Sequence, residues 1–164
     1  MNTQHENQGV DPKQAPPSRA APSPATVQAY LETEYRVSAA PPFTLRIGER
    51  SAELAALHKQ HRVDCSAFIT AWNPFSRGLE SGANALLQEA LRREVLSRSL
   101  VFVEGVGQHP DNGWPGEDSL LVLGLAQEAA KALGTRFEQN AIVLSAADAV
   151  PRLVMLDRGG ASDT

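Results

Sequence analysis

Hydrophobic and polar positions change their period several times along this chain, and each change marks an element. Across residues 24–39, Val27, Tyr30, Leu31 and Tyr35 recur at helical spacing, and Ser23-Pro24 supplies a cap and a first-turn proline, so a helix is predicted there. After Pro41-Pro42, Phe43-Thr44-Leu45-Arg46-Ile47 alternates apolar with polar and stops at Gly48, the pattern of a strand with one wet face. Ser51 followed by Leu54, Leu57, His58 and His61 predicts a short capped helix with Glu53 in its first turn. Residues 65–72 (CSAFITAW) form a near-continuous apolar run of strand length, which places that strand centrally with both faces covered.

The clearest helical pattern spans residues 81–98. Ala83, Leu86, Leu87, Ala90, Leu91 and Val95 form its apolar stripe, and Gln88, Glu89, Arg92 and Arg93 take the other side. Strands are predicted at 100–106, 119–123, 141–145 and 152–156, and a short helix at 126–133 ended by Gly134 at the C′ position. Between the strands at 100–106 and 119–123 lies His109 to Asp118, dense in turn formers yet holding Trp114. The expected fold is therefore α/β or α+β, one domain with a mixed sheet of about five to six strands packed with three to four helices. If the central strands are parallel, the ends of 65–72 and 100–106 open on one rim, where ligands of open α/β sheets sit. Trp72-Asn73-Pro74 then converges with the 109–118 loop.

Composition narrows this picture. Residues 1–24 hold Pro12, Pro16, Pro17, Pro22 and Pro24, with Met1 and Val10 as the only aliphatic residues larger than Ala. Such a stretch is too poor in apolar surface to offset its ordering entropy, so it reads as a disordered leader. The globular domain is then 25–158, and 159–164 is a small polar tail that frays. A formal net charge of -4 gives no basic excess, which disfavours nucleic acid as a partner. The longest apolar run, Leu120 to Leu123, is far short of a bilayer span, and no secretory signal is visible. With Cys65 as the single cysteine, a reducing, cytoplasmic setting is the expectation.

Aromatic residues are only 5% of the chain, so the two tryptophans locate the candidate chemistry. Trp72-Asn73-Pro74-Phe75-Ser76-Arg77 leaves the central strand and leads to a helix carrying Asn84. These residues either tie the loop to the backbone or wall a pocket of neutral donors and acceptors with an aromatic face for stacking. The glycines at 78 and 82 lack a phosphate-loop or dinucleotide signature. In the 109–118 loop, His109, Asp111, Glu117 and Asp118 are the densest set of titratable groups; the alternatives are a solvated turn with Trp114 tucked onto the core, or acid-base chemistry. Glu104 interrupts an apolar strand and either faces solvent or sits in a cleft. His58, His61 and Cys65 lack a matching fourth ligand, so no metal is expected, and Cys65 reads as a small buried hydrophobe. Gln139-Asn140 either fixes a turn or reaches the same rim.

The motifs Ala67 to Pro74, Asn84, Gly113 to Ser119 and Phe137 to Ala141, in this order and spacing, resemble the bacterial domain-of-unknown-function family 3293 over about residues 27–157. Where members carry Phe-Gly-Gln, this chain places Glu138, a departure at the position of a tight glycine turn. The resemblance implies a single small cytoplasmic domain and no particular reaction. It puts the family-like positions on polar or aromatic residues at element ends. The expected function is binding of a small molecule or nucleotide derivative at the strand ends. Trp72, Asn73, Asn84, Trp114 and Gln139 are the expected contacts, and Glu117 the candidate catalytic acid or base; no cofactor is expected. The alternative is a protein-interaction or regulatory module, and whether the chain is an enzyme stays open.

Overall fold

A computed structural model describes residues 21–157, so the expected leader up to residue 20 and the tail at 159–164 lie outside the described residues. Helix α1 (Pro24–Glu32) starts as its sequence predicts: the Ser23 side chain accepts from the Thr26 amide and Pro24 takes the first turn. It does not run on to residue 39. The chain leaves the helix at Thr33 and enters strand β1 (Glu34–Val37), where Tyr35 and Val37 turn inward and Arg36 outward. Tyr35 satisfied both a helical and an alternating period, and pairing on both edges of β1 decides for the strand.

The remaining elements are β2 (Phe43–Leu45), α2 (Ala52–His61), β3 (Ser66–Ile69), a 3-10 turn (Pro74–Ser76), α3 (Ser81–Ser97), β4 (Val101–Gln108), β5 (Glu117–Leu123), α4 (Gln127–Arg136), β6 (Ala141–Ser145) and β7 (Arg152–Met155). The fold is α+β. Seven strands form one sheet in the order β2-β1-β4-β5-β3-β6-β7, and every pairing is antiparallel. The mixed sheet of five to six strands is thus corrected to seven antiparallel ones, β1 being the strand hidden in the predicted helix. Helices do connect strands of like direction, as a parallel sheet would require, but at least one other strand lies between each such pair. The α3 connection joins β3 to β4 with β5 between them, and the α4 connection joins β5 to β6 with β3 between them.

Period-two alternation splits the core into two layers. Ala67, Ile69, Leu120, Val122 and Ile142 face Leu91 and Val95 of α3 and Ala130 and Leu133 of α4. Tyr35, Val37, Phe68, Leu121, Leu123 and Val143 face the opposite side, where Leu54 of α2 joins them. All four residues of β3 are buried, as expected of a central strand covered on both faces. Two helix details depart from the sequence pattern. The buried stripe of α3 is Asn84, Gln88, Leu91 and Val95, whereas Leu86 is exposed. Gly134 lies within α4 rather than beyond it, and a Cβ there would come within 2.7 Å of Leu156 and 2.8 Å of Ile142. That glycine serves close helix-to-sheet approach.

Candidate functional site

Since β3 and β4 run in the same direction with β5 between them, their C-terminal ends and the start of β5 share one rim. The expected convergence of 72–74 with the 109–118 segment is therefore met by antiparallel pairing, without a parallel sheet. Beyond Phe68, β3 outruns its ladder with β6, and the amides of Ala71 and Asn73 need other acceptors. Helix α3 supplies them: Gln88 Oε1 accepts from Ala71 at 3.0 Å, and Asn84 Oδ1 from Asn73 at 2.7 Å. This is why two amide side chains sit in the buried stripe of α3.

Asn73 is held in one orientation by these bonds. Its Oδ1 accepts from Asn84 Nδ2 (2.7 Å) and from the Leu79 amide (3.0 Å), which turns Nδ2 toward Glu117 Oε1 at 3.0 Å. The same Oε1 accepts from the indole Nε1 of Trp114 at 3.1 Å. Oε2 has no partner among the described residues. Burial of this carboxyl outweighs the two donors and raises its pKa above the ordinary carboxylate value.

Glu117 lies in the wall of a cavity of about 340 Å³ between α1 and the second face of the sheet. Phe68, Val143 and Tyr35 provide apolar floor, with the Tyr35 and Phe68 rings edge to face at 5.3 Å between centroids. Gly105 admits the Phe68 ring, which would lie 2.8 Å from a Cβ at that position. Ala25, Ala29 and Tyr30 of α1 form the roof. The roof is pinned by polar bonds, for no residue of α1 is buried. The Tyr30 hydroxyl bonds Ser76 Oγ and accepts from Asn140 Nδ2 at 2.8 Å, while its carbonyl accepts from the Tyr35 hydroxyl at 2.6 Å. Burial pushes the Tyr35 phenol well above its ordinary range. Asn140 Oδ1 is buried and has no partner among the described residues.

His109 closes the far wall. Its Nε2 faces Glu32 at 2.9 Å, and its Nδ1 faces the backbone amides of Asp111 and Asn112 and lies 3.3 Å from the Asp111 carboxylate. Backbone strain gathers here too. Asn73, Phe75, Ser76 and Glu138 all have positive φ, between 47° and 58°. Non-glycine residues held there cost energy that the surrounding bonds must offset, and such positions cluster at functional sites.

Of the expected ligand contacts and the candidate acid or base, Glu117, Trp114 and Gln139 line the cavity, and His109 lines it too. Asn73 orients Glu117 from behind, and Asn84 orients Asn73. Trp72 does not line it; its carbonyl accepts from Gln139 Nε2 at 3.2 Å, so Gln139 both ties the loop and reaches the rim. Trp114 is not tucked onto the core, being 43% exposed with its N–H on Glu117. Glu104 lies in no cleft but forms a two-pronged ion pair with Arg92, at 2.7 and 2.9 Å. His58 bonds Ser66 at 2.7 Å, and the Cys65 thiol donates to the Leu125 carbonyl. Sequence reasoning missed Tyr30 and Tyr35 as site residues, whereas Ser76 and Asn140, both read as possible wall or rim residues, do line the cavity. The scarcity of aromatics that pointed to the tryptophans applied equally to the two tyrosines, and both face this cavity.

Fold and cavity together define an antiparallel α+β domain with a pocket at one sheet rim, roofed by a short helix. The chain resembles the family described as a protein of unknown function (DUF3293), whose model matches residues 69–142, from the end of β3 to the start of β6. That span contains Asn73, Asn84, Trp114, Glu117 and Gln139; Tyr30 of α1 and Tyr35 of β1 lie before it. Neither the curated proteins nor the solved structures yield a match. Among the described residues no helix is long and apolar enough to cross a membrane.

Proposed function

We propose that the chain binds a small molecule, or the base portion of a nucleotide derivative, in the cavity beneath α1, with Glu117 as its polar anchor. The observation that carries this reading is the asymmetry of Glu117 in the wall of a partly apolar cavity: one oxygen is fixed by Asn73 and Trp114, and the other has no partner among the described residues. If a reaction follows binding, Glu117 is the acid or base, since its raised pKa favours holding a proton at higher pH than an ordinary carboxyl. A cytoplasmic setting accords with the lone Cys65.

A thermal-shift screen with nucleosides, nucleotides and small metabolites tests this. A compound that raises the melting temperature of the parent, and raises that of Glu117→Gln by much less, meets the expectation by mass action. Equal shifts in both proteins for every active compound refute it. The competing reading as an interaction module rests on the exposed face of Trp114, whose N–H is already committed to Glu117.

A further inference from the structure

The charge of the cavity wall carries the proposed function to a ligand class. Among its described lining residues there is no lysine and no arginine. His109 has one ring nitrogen against Glu32 and the other against two backbone amides and the Asp111 carboxylate, so neither is open to an incoming anion. The first turn of α1 also reaches the cavity, but its Thr26 amide is taken by Ser23 Oγ and its Val27 amide by the Ser23 carbonyl. The other polar wall atoms are hydroxyls and amides, and the one group there that carries a charge of its own and lacks a counter-ion is Glu117. A half-buried carboxylate in a partly apolar wall gains from a cation that joins it.

We infer that the ligand carries a cationic N–H group, of amidinium, guanidinium or protonated ring-amine type, which pairs with Glu117 Oε2 against the aromatic surface of Tyr35, Phe68 and Trp114. This rests on the reading of the cavity as a binding site. Charge-assisted N–H bonds to a carboxylate are the strong ones, and aromatic faces attract cations in the same geometry. A phosphate or carboxylate, by contrast, meets like charge and no free cationic donor, so the phosphates of any nucleotide stay outside the cavity. The formal net charge of -4 also favours approach of cations over anions.

Three planar probes of nearly equal shape and different charge test it: benzamidine, benzamide and benzoate, titrated at neutral pH and followed by the indole N–H resonance of Trp114. The parent is expected to bind benzamidine about tenfold or more tightly than the other two, and Glu117→Gln to lose about that factor. A second variant, Ala29→Trp, fills the cavity from the exposed helix α1 and is expected to abolish binding while the protein stays folded. If benzamide or benzoate binds the parent as tightly as benzamidine and Ala29→Trp blocks it, the charge class is overturned and the cavity reading stands. Binding that survives Ala29→Trp, or no binding of any probe at millimolar concentration, overturns both.

Discussion

The substitution Asn73→Asp probes the link between the buried amide clamp and the carboxyl it orients. It keeps an oxygen to accept from Asn84 and the Leu79 amide, but puts a second oxygen where Nδ2 now donates to Glu117 at 3.0 Å. With both groups ionised, charges about 3 Å apart at an effective dielectric near 20 repel by about 5 kcal/mol. The pair has a less costly route, which is to share one proton. Drawing that proton at pH 7 onto carboxyls with an ordinary value near 4.5 costs about 1.4 kcal/mol per pH unit, or about 3 kcal/mol in all. The smaller figure sets the expected loss.

Its sign follows from proton linkage. In the variant the folded state holds a shared proton over a pH range in which the unfolded chain has released it, so stability falls as pH rises above about 4.5. Urea unfolding across a pH series measures this directly. Parent and variant are expected to agree within about 1 kcal/mol near pH 4 and to differ by about 3 kcal/mol at pH 7. An offset that does not change with pH refutes the reasoning, because it means that the introduced carboxyl and Glu117 do not interact. Asn73→Ala is the control: it loses about 1–3 kcal/mol of hydrogen bonding, plus about 1 kcal/mol for placing Ala at φ 47°, with no added pH dependence.

Four further outcomes are expected. In the parent itself, the raised pKa of Glu117 makes stability fall as pH climbs from the ordinary carboxylate value through the raised one, and Glu117→Gln flattens that part of the pH profile in urea unfolding. Glu138→Gly raises stability by about 0.5–1 kcal/mol in the same assay, since relief of φ 56° outweighs the added unfolded-state entropy. Gly134→Ala lowers it by about 1–3 kcal/mol despite better helix propensity, because the new methyl meets Leu156 and Ile142 inside contact distance. Tyr30→Phe removes the hydroxyl that bonds Ser76 and Asn140, and hydrogen exchange in α1 is expected to speed up about fivefold or more, for a loss of about 1 kcal/mol, while exchange in β3 is unchanged.

Elements whose side chains face one environment along their length were legible from the sequence. The run at β3, the alternation at β2 and the caps at Ser23 and Ser51 all reflect local chemistry that the structure keeps. Strand order was not legible, because a helix between two strands speaks only to their relative direction. It is silent on whether another strand is inserted between them, as β5 is between β3 and β4. The α3 stripe failed for a different reason. Its first two turns pack against a strand end with free amides, so Asn84 and Gln88 are buried for their acceptor oxygens where hydrophobic periodicity expects aliphatic side chains.

The same distinction explains the site. Asn73, Asn84, Trp114, Glu117 and Gln139 stood out as polar or aromatic residues at element ends, and the structure joins four of them into a relay from α3 through Asn73 to Glu117 and Trp114. The roof was not visible, since α1 contributes alanines and a tyrosine whose role depends on where the helix lands. The glycine turn shows what local reading can and cannot carry. The departure at Glu138 pointed to a position where glycine belongs, and the structure holds Glu138 at φ 56°, its carbonyl accepting from the Phe75 amide at 2.7 Å. Ser76, the next residue and also at positive φ, bonds Tyr30 and Asn140. The strained turn on one side of the cavity and the pinned helix above it are thus parts of one polar network, so strain at Glu138 is borne by the bonds that keep α1 over the cavity. A Glu138→Gly variant that gains stability while leaving α1 exchange unchanged would separate the two; equal changes in both would show that the turn sets the roof.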